Sequence, residues 1–198
     1  SQLLLQAPTG LGKTMASLYA ALKSVARGET KQIVFLSART TGQAPLLSAV
    51  KHLQRQGIPL KVAVISAKSK TCFCQMGEVP KDKSDCEMAK GFYDRLKEGR
   101  KAILSEALLT KDRIDAYAQQ FSLCPFEFSL SLLPWVDVII CDYNYVFDPR
   151  VGLSSLVSGS LSQVLIIDEA HNLIDRSKDM YSASVCKADF QSLKKDFQ

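Results

Sequence analysis

The sequence predicts an α/β protein, a parallel sheet covered by helices on both faces. Three observations predict it. The runs IVFL (33–36), VAVI (62–65), VDVII (136–140) and VLII (164–167) are apolar at nearly every position, as strands buried on both faces must be. Segments with helical spacing lie between the first of these runs. Strands that alternate with helices, joined by short turns, are the signature of a parallel sheet.

The elements follow in chain order. Leu3 to Leu5 predict a short buried strand, and APTGLGKT follows it. Met15, Leu18, Tyr19, Leu22 and Val25–Ala26 then recur at helical spacing until Arg27–Gly28 stops them. A strand at 33–36 precedes a helix over Leu46–Leu53, which ends near Gly57 and Pro59, and a third strand occupies 62–65. Between 67 and 125 the texture changes. β-branched runs vanish, four of the six cysteines appear, and helices are expected over Met88–Glu98, Ala102–Leu109 and Lys111–Gln120. Sheet texture returns at 136–140 and 164–167, with a Gly/Ser-rich loop from Gly152 to Ser162 between them.

Composition limits the class. With 198 residues, 46% hydrophobic and 23% charged, the chain has enough apolar mass for one core, or one core plus a small insert, and too much for disorder. No window approaches the ~18 apolar residues of a membrane helix. No basic-then-apolar leader opens the chain, so nothing argues for secretion or a disulfide framework. Cys141 and Cys186 are expected to be ordinary small apolar residues. The net charge of +5 favours a polyanionic partner. Both ends fall inside apparent elements, so the chain reads as a segment of something longer.

Two motifs carry chemistry. Ala7-Pro8-Thr9-Gly10-Leu11-Gly12-Lys13-Thr14 fits a phosphate loop between a strand and a helix. Its glycines let backbone N–H groups curl around phosphate oxygens at a helix N-terminus. Lys13 suits the β- and γ-phosphates and Thr14 a magnesium ion, which makes ATP and Mg²⁺ the expected cofactors. The second motif is the strand end Val164-Leu165-Ile166-Ile167-Asp168-Glu169-Ala170-His171. Asp168 is expected to hold the metal, Glu169 to orient or deprotonate the attacking water, and His171 to sense the γ-phosphate. A small kinase or transferase would need a substrate lid and no cysteine insert.

APTGLGKT with DEAH resembles the DEAH-type superfamily 2 helicases. LCPFE (123–127), DVIICDYNYVFDPR (137–150) and LIIDEAHNLIDR (165–176) narrow the resemblance to the XPD/DinG family of iron–sulfur DNA helicases. That resemblance implies a RecA-like first motor domain with a mostly helical iron–sulfur insertion, ATP-driven and moving 5′ to 3′ on single-stranded DNA at a forked duplex. On this reading residues 1–67 and 126–177 form the RecA-like domain, 68–125 the insertion, and 178–198 the start of a helical arch. A second RecA-like domain, with its transition-state charge, is expected further along the native chain. In a bacterial source the protein would be cytoplasmic and associated with the nucleoid. An ATP-binding, nucleic-acid-binding module without unwinding activity is the alternative.

The resemblance also points to Arg39, Thr40 and Thr41, after the second strand, as contacts to the DNA backbone. Hydroxyls and an Arg at a strand end suit phosphate oxygens. It places Tyr143, Asn144 and Tyr145 near the DNA path, where aromatic rings could stack on bases. Cys72, Cys74, Cys86 and Cys124 supply four thiolates, which either zinc or a [4Fe–4S] cluster would accept. The resemblance favours the cluster. Family members often pair two middle cysteines a few residues apart. Here residues 81–85 hold none, which leaves Cys74 as the fourth ligand.

Overall fold

The computed structural model describes residues 2–8, 10–37, 43–73, 86–153, 156, 162–184 and 186. The chain runs α1 (Lys13–Ala26), β1 (Gln32–Leu36), α2 (Gln43–Arg55), β2 (Val62–Val64), α3 (Lys68–Thr71), α4 (Phe92–Ile103), β3 (Leu108–Leu109), α5 (Lys111–Gln120), α6 (Pro125–Ser131), β4 (Val138–Cys141), α7 (Asn144–Phe147), β5 (Gln163–Ile167) and α8 (Leu173–Tyr181). The strands form one sheet in the order β3-β2-β4-β1-β5. Every pairing is parallel. The expected RecA-like α/β architecture is therefore present.

Strand alternation divides the core in two. Ile33, Phe35, Val62, Val64, Val138 and Ile140 face one side and pack with Leu18, Leu46, Val50 and Leu53 of α1 and α2. Val34, Leu36, Ala63, Ile139 and Cys141 face the other and pack with Leu96, Ile103, Ile114, Ala118 and Phe128 from α4, α5 and α6. The central strands β1, β2 and β4 are buried throughout, which is why they read as unbroken apolar runs. Cys141 is a buried core residue, its thiol pushed up to about 12 by burial. Cys186 is exposed.

Two expectations are corrected. Leu3 to Leu5 form no strand: no described strand pairs with them, and Leu3 and Leu4 are 92% and 89% exposed. The helix expected over Ala102–Leu109 ends at Ile103, and Leu108–Leu109 instead pair with Val62 and Ala63 as an edge strand. Helix-forming residues at 104–107 masked that strand, and pairing with β2 overrode their propensity. Within the segment read as the insertion, α4 and α5 bury their apolar faces against the sheet, and β3, between them in sequence, lies in the sheet itself. Residues 92–123 thus share the main core. The helix expected over Lys111–Gln120 is α5 with the same bounds, capped by the Thr110 side chain. No helix among the described residues is long and apolar enough to cross a membrane.

Gln32 locks the sheet at the end where β1 begins. Its buried Nε2 donates to the carbonyls of Leu133 at 2.7 Å and Val136 at 2.9 Å, while Gln163 donates to its Oε1 at 2.8 Å. Gln32→Leu strands both carbonyls in the core, so chemical denaturation should report a loss of about 1–3 kcal/mol. A second prediction concerns acid. The guanidinium and backbone N–H of Arg150 hold the Asp148 carboxyl below its usual value. A group with a depressed folded pKa stabilises above its unfolded value and loses that contribution as pH falls through the folded one. Melting curves of wild type and Asp148→Asn should differ at neutral pH and converge as the pH falls through the depressed folded value, below the ordinary carboxylate range.

Candidate active site

The parallel sheet brings the C-terminal ends of its strands to one edge, and the expected chemistry lies just beyond them. At that edge α1 packs on β1 and β5. Gly10 and Gly12 both take positive φ, 86° and 78°, which a side chain would resist. Gly12 caps α1 from that left-handed conformation. Lys13 therefore opens the helix directly out of the loop, and its Nζ donates to the carbonyls of Ala7 at 2.8 Å and Pro8 at 3.4 Å. Its ammonium folds back onto its own loop. Thr14 is half-buried on the first turn, and Thr9 lies outside the described residues.

The acidic strand end lies within electrostatic reach of this loop. The Asp168 N–H donates to the Leu36 carbonyl at 3.0 Å, which carries the β1–β5 ladder one residue past the strand. Burial raises the Asp168 carboxyl above its ordinary range and neighbouring Glu169 raises it further, while the Glu169 backbone and Lys13 pull it down. Lys13 and Asp168, at opposite ends of the sequence, thus feel each other's charge. Glu169 sits at φ 50° and ψ 48°, the left-handed region that favours glycine. His171 Nδ1 lies 3.4 Å from the Glu169 carboxylate.

Three residues support this turn. Tyr143, wholly buried, donates its hydroxyl to the Asp168 carbonyl and lies 3.1 Å from that of Glu169. Burial first, then the Asp168, Glu169 and Asp142 carboxylates, pushes its phenol up to about 12. Asn172 donates to the Glu169 carbonyl from its backbone at 3.0 Å and its side chain at 3.1 Å. Arg176 on α8 lies 3.6 Å from the Asp142 carboxylate. Sequence reasoning missed Asn172 and Arg176. A polar side chain soon after a turn could have flagged Asn172, but no sequence pattern announces which carboxylate Arg176 reaches.

The open aromatic faces expected at Tyr143 and Tyr145 are absent. Both rings are core residues, 0% and 6% exposed, and the Tyr145 hydroxyl donates to the Ser66 carbonyl at 3.3 Å. The short helix that follows β4, with Tyr143 at its N-cap and Tyr145 in its first turn, turns both rings inward. Asn144 is half-buried, its N–H donating to Asp142 Oδ1 at 3.0 Å. Arg39, Thr40 and Thr41 lie outside the described residues.

Cys124 caps α6 and is buried. Burial raises its thiol, the backbone N–H groups of Glu127 and Phe126 lower it, and the charges of Glu127 and Cys86 raise it. Those N–H groups face the sulfur without closing a capping bond. Cys72 ends α3, which packs on α6. Cys74 lies outside the described residues, and among those described no three His, Cys, Asp or Glu side chains form a metal-holding group. The donor chemistry fits a soft metal centre. Two thiols, those of Cys86 and Cys124, lie within electrostatic reach of each other, and at Cys124 burial outweighs the lowering effect of the helix-start N–H groups.

The DEAD_2 family model matches residues 37–190. The chain is 24% identical over 215 residues to the helicase subunit XPD of general transcription and DNA repair factor IIH from Arabidopsis thaliana, covering 92% of this chain and 28% of that protein. It is 23% identical over 237 residues to a regulator of telomere elongation helicase 1 homolog from Anopheles gambiae, covering 93% and 24%. Against the XPD subunit of Schizosaccharomyces pombe it is 33% identical over 85 residues, 41% of this chain and 11% of that one. The chain thus spans less than a third of the length of these curated relatives. Among solved structures, an XPD helicase matches with a TM-score of 0.58 at 21% identity over 88% of this chain and 30% of its own. A truncated XPD matches with 0.59 at 21% over 94% and 52%. The resemblance read from the motifs is borne out.

Because Lys13 contributes charge rather than packing, Lys13→Met should leave the melting temperature near that of wild type. Mg²⁺–ATP affinity, measured by calorimetry, should fall by about tenfold or more, since the phosphates lose a charge-assisted partner.

Proposed function

The chain belongs to the DEAD_2 family, and on that premise we propose that it is the first motor domain of an ATP-dependent DNA helicase. The packing of α1, which opens with Lys13, against β1 and β5 supports this reading, with Lys13 and Asp168 within electrostatic reach of each other. Lys13 leaves the carbonyls of Ala7 and Pro8 for the β- and γ-phosphates. Thr14 and Asp168 hold a magnesium ion, which screens phosphate charge when bound. Glu169 orients the attacking water, and His171, paired with Glu169, feels the terminal phosphate arrive. The backbone N–H groups of the Gly10–Gly12 turn cradle the remaining oxygens.

Only one side of a nucleotide cleft is built from these residues. A second RecA-like domain, further along the native chain, supplies the opposing charge, worth roughly 10³–10⁵ in rate in related phosphoryl transfer. Single-stranded DNA runs past Arg39, Thr40 and Thr41, with movement 5′ to 3′ into a forked duplex. Cys72, Cys74, Cys86 and Cys124 hold a [4Fe–4S] cluster that fastens the end of α3 to the start of α6. In a bacterial source the protein works in the cytoplasm, on the nucleoid.

Strand displacement by the full-length protein on a duplex with a 5′ single-stranded tail tests the reading. Unwinding from a 3′ tail alone overturns the polarity. ATP binding without unwinding of either substrate favours the non-unwinding module. Glu169→Gln should keep Mg²⁺–ATP binding and lower hydrolysis by about 10²–10⁴-fold, as expected for loss of a water-orienting base. Cys86→Ser or Cys124→Ser should remove visible absorbance and iron from anaerobically purified protein, because a hydroxyl is a poor ligand for a soft centre. A colourless wild type with bound zinc would replace the cluster by a structural zinc site.

A further inference from the structure

The Asp168–Glu169 turn is unusual in its backbone. Glu169 stands in a left-handed conformation, φ 50°, which a residue with a side chain resists. Such a conformation persists only where its surroundings over-determine it. Its surroundings here are explicit. The Asp168 N–H is tied to Leu36, the Glu169 carbonyl accepts twice from Asn172, and the buried Tyr143 hydroxyl reaches the carbonyls of both Asp168 and Glu169. Among the described residues, Tyr143 is the side chain whose hydroxyl reaches the carbonyls on both sides of Glu169.

We propose that Tyr143 is a positioning residue for the acidic strand end: its hydroxyl clamps the Asp168–Glu169 peptide and so fixes the direction in which the Glu169 carboxylate leaves the backbone. This rests on the hydrolytic reading of the site. Tyr143 touches neither nucleotide nor metal and acts through Glu169. A rotation of the Glu169 backbone toward ordinary negative φ would redirect its carboxylate, which now lies 3.4 Å from His171 Nδ1. The tyrosine comes from the end of β4, separated from β5 by β1 in the sheet, so the clamp also ties the end of β4 to the nucleotide side. Arg176 repeats that tie from α8, through Asp142. The segment that begins at Asp142 therefore meets the acidic turn through the Tyr143 phenol and meets the helix that follows the turn through the Asp142–Arg176 ion pair. The aromatic side chain expected to face DNA serves the carboxylates instead.

Tyr143→Phe isolates the clamp, because the ring keeps its place in the core and only the hydroxyl is lost. Two measurements on the full-length protein decide the matter. Hydrogen exchange should speed up locally at the amides of residues 169–172 while β1 and α1 keep their protection. Steady-state hydrolysis should show kcat lowered by about 10- to 100-fold, the scale of a small misplacement of a catalytic group, with the KM for ATP and Mg²⁺–ATP affinity within about twofold of wild type. Tyr143→Ala, which also empties the core, should lower the melting temperature, and Tyr143→Phe should not. Unchanged exchange at 169–172, or faster exchange with wild-type kcat, overturns the proposal. Equal losses in melting temperature, affinity and kcat for Tyr143→Phe also overturn it, since they mark a merely structural side chain. A wild-type protein that binds ATP but never hydrolyses it overturns the hydrolytic reading itself, and with it the catalytic consequence of the clamp.

Discussion

The parallel ladder between β1 and β5 is the constraint on which the site depends. Gln32 to Leu36 pair residue for residue with Gln163 to Ile167, and the bond from Asp168 to Leu36 adds one more rung. That rung fixes where the acidic pair leaves the sheet. On the same side, α1 rests on both strands and presents Lys13 at its first turn. A slip of one residue in this register would exchange the faces of Val164, Leu165, Ile166 and Ile167 and carry the carboxylates away from the loop. Phosphate loop and acid come together because two strands share a register, and neither motif could arrange that alone.

A balance of charge and strain follows. Two adjacent carboxylates at a strand end repel, and burial of Asp168 adds to the cost. Lys13 offsets part of it. The left-handed turn at Glu169 adds backbone strain, which the bonds from Tyr143 and Asn172 hold in place. Strained, over-determined turns gather where geometry matters more than stability. The contrast with the opposite end of the sheet is instructive. There the buried Gln32 has every hydrogen bond satisfied and carries no strain, as a structural lock should.

The cysteine-bearing segment shows how one chain serves two purposes. Its helices α4 and α5 complete the hydrophobic cover of the sheet, and β3 extends its edge. Its cysteines sit at element ends: Cys72 closing α3, Cys124 opening α6, and Cys86 within electrostatic reach of Cys124.

The sequence by itself determined the sheet and the motifs. The unbroken apolar runs hold β1, β2, β4 and β5; the first three are covered on both faces, and β5 ends the strand order with Leu165 43% exposed. Lys111–Gln120 was legible because Thr110, the charged residues and the apolar spacing agree locally. APTGLGKT and DEAH were legible because phosphate and metal chemistry demand those residue types at those spacings. What only the tertiary structure decided was non-local. Leu108–Leu109 became a strand because β2 offered an edge, against the local preference for helix. Leu3 to Leu5, apolar enough for a strand, stayed outside the ladder. Tyr143 and Tyr145 turned into the core rather than outward, since no one-dimensional pattern shows which face of a short segment meets a neighbour 25 residues away in sequence. The contacts that orient Glu169 come from β4, β1 and the turn before α8, and the chain must fold before they exist.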